Sequence, residues 1–325
     1  MIFIKKKTND YSKKEAIEAL QRQRTKRPLF TTILIIALLF ILATGLSGCV
    51  SLFQESFDSG NVALIHVEGP IGSSSSMFSS EGVSSPQVID WLKEANDDDE
   101  VQAIVIDINS GGGRPVASEE IAKAIKDSKK PTVAIIHDIG ASGAYWVASA
   151  SDHLIASDLS LVGSIGVIGS YLDFSGFLYE HNVSYNRAVA GKYKDMGSPF
   201  KEMTSDERIK NQLLLDKMHE IFIKSVAENR NLSYGAVKQL ATGELFLGVD
   251  ALQNGLIDEL GGISELKNYL KEELDIDVVD FKDYKPRYSF LEELSNLGAE
   301  IGTNIGLSLG NSLVETSSRA NNFKA

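Results

Sequence analysis

Apolar positions along this chain fall into three regimes. The first is one uninterrupted block, LFTTILIIALLFILATGLSGCV from Leu29 to Val50. About twenty uncharged, mostly apolar residues are enough to cross a bilayer as a helix. The second regime is alternation. NVALIHVEG (61–69) reads as a strand, SPQVIDWLKEAND (85–97) as a helix and VQAIVIDI (101–108) as a buried strand. SEEIAKAIKDSKK (118–130) is an amphipathic helix with Ile121 and Ile125 four apart, PTVAIIH (131–137) a further buried strand, and SGAYWVASASD (142–152) a short helix. HLIAS (153–157) and SIGVIG (164–169) are predicted strands, LDFSGFLYEHN (172–182) a helix and VSYNRAVA (183–190) another strand. Continuous Val/Ile runs separated by helices are what a parallel sheet covered on both faces requires, so the fold class is α/β with a mostly parallel sheet flanked by helices.

The third regime, past Pro199, is helical. Thr204 and Glu207 fit a capping box that opens a long helix, with Ile209, Leu213, Ile221 and Val226 near one stripe. GISELKNYLKEELD (262–275) is a further helix. The serine-rich stretch SSSSMFSSEGVSS (73–85) has no periodicity and reads as a mobile loop. From Asp283 onward scattered leucines among Gly, Ser and Asn lose the pattern, giving a loosely ordered tail at 283–325.

Charge orients the first block. Residues 1–28 carry nine Lys/Arg against three Asp/Glu, although the whole chain has a formal net charge of −12. A basic flank places the leader in the cytoplasm, with the rest of the chain outside it. The organisation expected is a basic leader (1–28), a transmembrane signal anchor (29–49), a linker (50–60), a folded domain (61–282) and the tail. LSGC (46–49) also resembles a lipoprotein processing site, which would make Cys49 a lipidated N-terminus. Cys49 is the only cysteine, so the domain has no intrachain disulfide and relies on an ordinary core. The acidic balance argues against nucleic acid as a partner.

One hydroxyl stands out chemically. Ser142, in HDIGASGAYWVASASD, sits among small residues between a strand and a helix, although Ala144 departs from the G-x-S-x-G elbow. A second strand ends in Gly111, Gly112 and Gly113, within DINSGGGRPVASEE. Glycines there expose backbone N–H groups that can hold an oxyanion. If Ser142 is a nucleophile it needs a base. His66, His137, His153, His181 and His219 are the first candidates, and sequence separation excludes none of them. Lysine is the other option once a dry site lowers its pKa from about 10.4 to about 7–8, and AGKYKDMGSP (190–199) offers Lys192 and Lys194.

Taken together, INSGGGRPVASEEI, GASGAYWVASASD, LVGSIGVIG, GKYKDMGSPFKEMTSDE and TGELFLGVDALQNGLIDELGG resemble, in order, the signal peptide peptidase A family of membrane-bound serine proteases. The resemblance spans about Val62 to Leu270 and implies a ClpP/crotonase-like fold with a Ser/Lys dyad. It makes Ser142 the nucleophile, Lys194 the general base and Ser164 the hydroxyl that aims the lysine. The amide of Gly112 or Gly113, with that of Gly143, would form the oxyanion hole. The family's usual proline is Gly111 here, which leaves open which amide points into the hole. The resemblance further implies no cofactor or metal, peptide substrates such as signal-peptide remnants, and a homo-oligomeric ring in which base and nucleophile often come from neighbouring subunits. The tail after Asp283 could be trimmed by such a ring. A crotonase-like acyl-CoA hydratase or isomerase, and an inactive peptide-binding scaffold, are the alternative readings.

Overall fold

The computed structural model describes residues 60–73 and 82–284, together with the single residue Leu38. Apart from Leu38, the predicted span at 29–49, with Cys49, most of the linker and most of the tail, lies outside the described residues. Among the described residues no helix is long and apolar enough to cross a membrane. Ser59–Pro286 form one compact unit.

Its frame is an eight-stranded sheet. Strands β1 (Val62–Glu68), β4 (Ala103–Ser110), β5 (Thr132–Ala141), β6 (His153–Ala156), β9 (Glu259–Leu260) and β10 (Phe281–Tyr284) run in the order β10-β1-β4-β5-β6-β9, all parallel. β7 (Leu161–Gly163) pairs parallel with the last residues of β5, and β8 (Leu245–Leu247) lies antiparallel to β7. A separate two-stranded ribbon joins β2 (Ile71–Gly72) to β3 (Val83–Ser84). β5 therefore serves two neighbours, β6 along its first half and β7 at its end, which leaves its terminus in the interior of the fold rather than at an edge.

The period of two along each strand sorts residues onto two cores. Ile104, Ile106 and Ile108 of β4 join Ile65, Ile136 and Val162 on one face. Ala103 and Val105 join Val62, Val133 and Ile155 on the other. The first face is covered by α1 (Ser85–Asp97), α2 (Pro115–Lys126), α3 (Gly143–Ser149) and the C-terminal part of α5 (Ser205–Asn229), and the second by Leu266 and Leu270 of α8 (Ile263–Glu272). Short helices α4 (Ser175–Glu180), α6 (Tyr234–Leu240) and α7 (Gly248–Gln253) fill the remaining connections.

The capping box forms as the sequence predicts: Thr204 Oγ1 accepts from the Glu207 amide while the Glu207 carboxylate accepts from the Thr204 amide. The stripe on the same helix does not. Val226 is buried with Phe222, Ile223 and Ala227, yet Ile209, Leu213 and Ile221 are 60%, 48% and 51% exposed. Only the last turns of α5 meet the core, so its first turns project an apolar surface into solvent. Two predicted strands are absent as well. SIGVIG is irregular because Gly163 (φ 96°) and Ser164 (φ 50°) both take left-handed conformations and end β7 one residue earlier. VSYNRAVA has exposed residues throughout and no neighbouring strand to pair with. At the far end, β10 crosses the predicted boundary between 282 and 283, because Phe281–Tyr284 dock beside β1.

The helix that follows Ser142 is held by aromatic anchors. Tyr145, fully buried, donates its hydroxyl to the Leu256 carbonyl at 2.8 Å, and burial pushes its pKa well up. Trp146 donates to Ser225 Oγ at 2.7 Å and stacks on Phe222, ring centres 4.6 Å apart. Tyr145→Phe leaves that carbonyl without its donor inside the core. We expect it to lower unfolding free energy by about 1–2 kcal/mol, read from urea denaturation; an unchanged midpoint would mean another donor reaches Leu256.

Candidate active site

Ser142 lies at the crossover between β5 and α3. Its backbone has φ 54° and ψ −123°, a conformation that non-glycine residues rarely adopt and that costs about 1–3 kcal/mol. Two contacts hold it there: its amide donates to the Gly163 carbonyl at 2.8 Å, and its own carbonyl accepts from the Trp146 amide at 3.0 Å. The sharp turn leaves the side chain half-buried rather than packed into the core.

The glycine loop after β4 presses against this turn. A Cβ on Gly112 (φ 96°) would lie 2.7 Å from the Ala141 carbonyl oxygen, 2.7 Å from the Gly143 nitrogen and 3.0 Å from Ser142 Cβ. Only glycine fits so close an approach in that conformation. A Cβ on Gly143 would fall 3.2 Å from the Gly113 nitrogen and 2.3 Å from Ser118 Oγ, so Ser118 of α2 backs the same junction. Gly111 meets nothing, consistent with a position where the resembling family carries a larger residue.

Hydrogen bonding separates the candidate amides. The Gly112 N–H donates to Ser110 Oγ at 3.0 Å, and Ser110 in turn donates to the Gly69 carbonyl. The Ser142 N–H is used by Gly163. Among the described residues the amides of Gly113 and Gly143 have no hydrogen-bond acceptor. Two adjacent unpaired N–H groups beside a strained serine form a ready anion cradle. Ser110 was not singled out by sequence; its position directly before the glycine run was the available signal.

Ser164 stands next to Ser142, since Ala141 and Gly163 are register partners in β5 and β7. Its hydroxyl donates to the Gly243 carbonyl at 3.3 Å, and its amide to the Glu244 carbonyl at 2.7 Å. The structure thus brings Ser142, Ser164, Gly112, Gly113 and Gly143 together. Lys194 is not joined to them by any hydrogen bond among the described residues. It sits exposed on the 191–197 turn, with its amide bonded to the Gly191 carbonyl and no partner for its amine among the described residues.

The competing bases each have contacts of their own. His66 and His137 both contact Asp107. His153 pairs with Glu259 and stacks on Tyr269, and His181 Nδ1 lies 2.9 Å from the Phe177 carbonyl. His219 is half-buried, with Nε2 3.2 Å from the Ile165 carbonyl. Lys192 binds Asp206 at 2.6 Å, which raises its pKa and holds its proton. Asp195 turns to Arg187 and Lys201, away from its neighbour Lys194.

Known proteins with similar sequences decide the lineage. The family model described as "Peptidase family S49" matches residues 124–277. The chain is 30% identical over 294 residues to "Putative protease MJ0651" of Methanocaldococcus jannaschii, covering 85% of this chain and 93% of that protein. The chain belongs to peptidase family S49. This S49 protease is also 32% identical over 238 residues to "Putative signal peptide peptidase SppA" of Enterococcus faecium, covering 71% of this chain and 69% of that protein. A solved S49-like structure, the "1510-N membrane-bound stomatin-specific protease" with a substrate peptide, aligns over 74% of this chain and 99% of its own at 17% identity and TM-score 0.46. The matched S49 segment contains Ser142, Ser164 and Lys194 and begins after the glycine loop.

Proposed function

We propose that the protein is a membrane-anchored serine endopeptidase that hydrolyses signal-peptide remnants and similar unfolded peptides through an acyl-enzyme. The observation that carries this reading is the turn at Ser142, with the unpaired amides of Gly113 and Gly143 beside it. Ser142 Oγ attacks the peptide carbonyl, the two amides hold the oxygen as it becomes negative, and water releases the acyl group. Lys194 takes the serine proton, and Ser164 aims its amine. The basic leader and the apolar block at 29–49 would keep the site beside membrane-derived substrates.

Lys194 needs a second surface. A lysine accepts a serine proton only from a dry site, and in the single chain Lys194 is exposed. The segments on either side of it in sequence expose Ile168, Leu172, Phe177, Tyr179 and the apolar start of α5. Apolar surface of that extent supports burial against further copies, in a ClpP/crotonase-like ring where the Lys194 of one subunit serves the Ser142 of the next.

Mixing inactive subunits tests this arrangement. Ser142→Ala and Lys194→Ala preparations, each inactive alone, should recover activity when unfolded together and reassembled. Random mixing should restore about a quarter of the sites, since each site needs one intact residue from each of two neighbours. A mixture that stays inactive would place the dyad within one chain and reject the shared site.

A further inference from the structure

On the sheet face covered by α8, the apolar rows stop short of the strand ends. Val62 and Leu64 of β1 are followed on that face by His66 and Glu68. Ala103 and Val105 of β4 are followed by Asp107, Val133 and Ile135 of β5 by His137, and Phe281 of β10 by Asp283. His66 and Asp107 are direct register partners. Four adjacent strands thus end in a row of imidazoles and carboxylates.

The atoms in this row are close together. His66 Nδ1 lies 2.9 Å from Asp107 Oδ2, and His137 Nε2 lies 2.5 Å from Asp107 Oδ1. The ligand atoms of His66, Glu68 and Asp107 all fall within 4.8 Å of one another. On the far side of its ring, His66 Nε2 is 3.3 Å from Asp283 Oδ1. A carboxylate there is placed to accept an Nε2 proton, the arrangement by which outer carboxylates orient metal-binding histidines through Nδ1.

In that tautomer Nδ1 is free to act as a ligand beside Asp107. His66 Nδ1 and Asp107 Oδ1 are both shut off from water, and neither is in hydrogen-bonding alignment despite the close approaches. Among the described residues, neither Glu68 nor Asp107 forms an ion pair with lysine or arginine. Closely spaced nitrogen and carboxylate atoms, two of them closed to water and out of hydrogen-bonding alignment, form a set that a bound cation can satisfy in place of a proton.

We propose that His66, Glu68 and Asp107, with His137 as a fourth ligand, bind one divalent transition-metal ion, for which Zn²⁺ is the probe. Two imidazoles with two carboxylates favour zinc over magnesium or calcium, which take oxygen ligands. Glu68 is exposed at the end of β1 and can close the site by a change of rotamer. The ion would tie β1, β4 and β5 together just before β4 enters the glycine loop and β5 reaches Ser142. Its role is to brace those two approaches, not to touch substrate. The five residues come from positions 66, 68, 107, 137 and 283, so no local spacing announces them.

Binding can be read without any peptidase assay. Full-length protein in detergent, stripped with EDTA and dialysed, is titrated with ZnCl₂ by calorimetry and then melted. The expected result is about one equivalent bound per chain and a Tm raised by about 5 °C at saturating Zn²⁺, with no response to Mg²⁺. Glu68→Gln, at an exposed position that should not disturb folding, should weaken uptake at least tenfold. His66→Gln and Asp107→Asn should abolish both binding and the Tm shift. His153→Gln, at the separate His153–Glu259 pair, should change neither. No uptake by the wild type overturns the proposal, as does uptake that survives His66→Gln and Glu68→Gln.

Discussion

Ser142→Ala should lower kcat/KM for an unstructured peptide by about 10⁴-fold or more. The substitution removes one oxygen and leaves the backbone turn, the Gly163 and Trp146 bonds and both free amides in place. Binding should therefore persist and the loss should fall on kcat. Lys194→Ala should produce a loss of similar order, because a serine without its base is as ineffective as a base without its serine. Lys192→Ala should stay within about twofold of wild type, since its amine already serves Asp206 and does not act as an acceptor. Steady-state kinetics of the three variants would decide between the two lysines. Near-normal turnover by Ser142→Ala would end the serine-protease reading, and a larger loss from Lys192 than from Lys194 would move the base.

The second large effect belongs to the glycine loop. Gly112→Ala puts a methyl group within 2.7 Å of both the Ala141 carbonyl and the Gly143 nitrogen, on a backbone at φ 96°. Neither obstacle is a flexible side chain, so the loop must move, and Gly113 moves with it. Removing a single oxyanion donor typically costs 10²–10³ in kcat, and a drop of about that size is expected here with secondary structure retained. Gly111→Ala is the control, because its added methyl meets no atom within 4 Å. Circular dichroism alongside kinetics separates a displaced amide from a collapsed fold. Equal activity for both variants would show that the glycine loop does not form the hole.

The legible parts of this fold were those where burial acts on one strand or helix at a time. Buried strands such as Ile104–Ile108 announce themselves because both faces are covered, and Thr204 with Glu207 announces a helix start by local hydrogen bonding alone. The misread parts are those whose apolar residues find no partner among the described residues. VSYNRAVA looks like a strand because its apolar residues are real, but within one chain they have no sheet to enter. The stripe from Ile209 to Ile221 is apolar for the same reason and stays exposed. At the site, small residues marked the Ser142 turn, but the choice between Gly112 and Gly113 turned on Ser110, a hydroxyl whose partner no spacing rule reveals. Which contact each histidine makes could not be read from spacing either.

The pairing of β1 with β10 has a consequence for how the domain is made. Val62 sits beside Phe281, and Asn61 bonds the Val278 carbonyl across 217 residues of chain. Among the described strands, the first made is therefore left with an open edge until the last one arrives. Closing so long a loop is entropically slow, and an unpaired edge invites association with other chains in the meantime. Newly made copies would depend on chaperones or on rapid completion of the chain until residues 281–284 seal that edge.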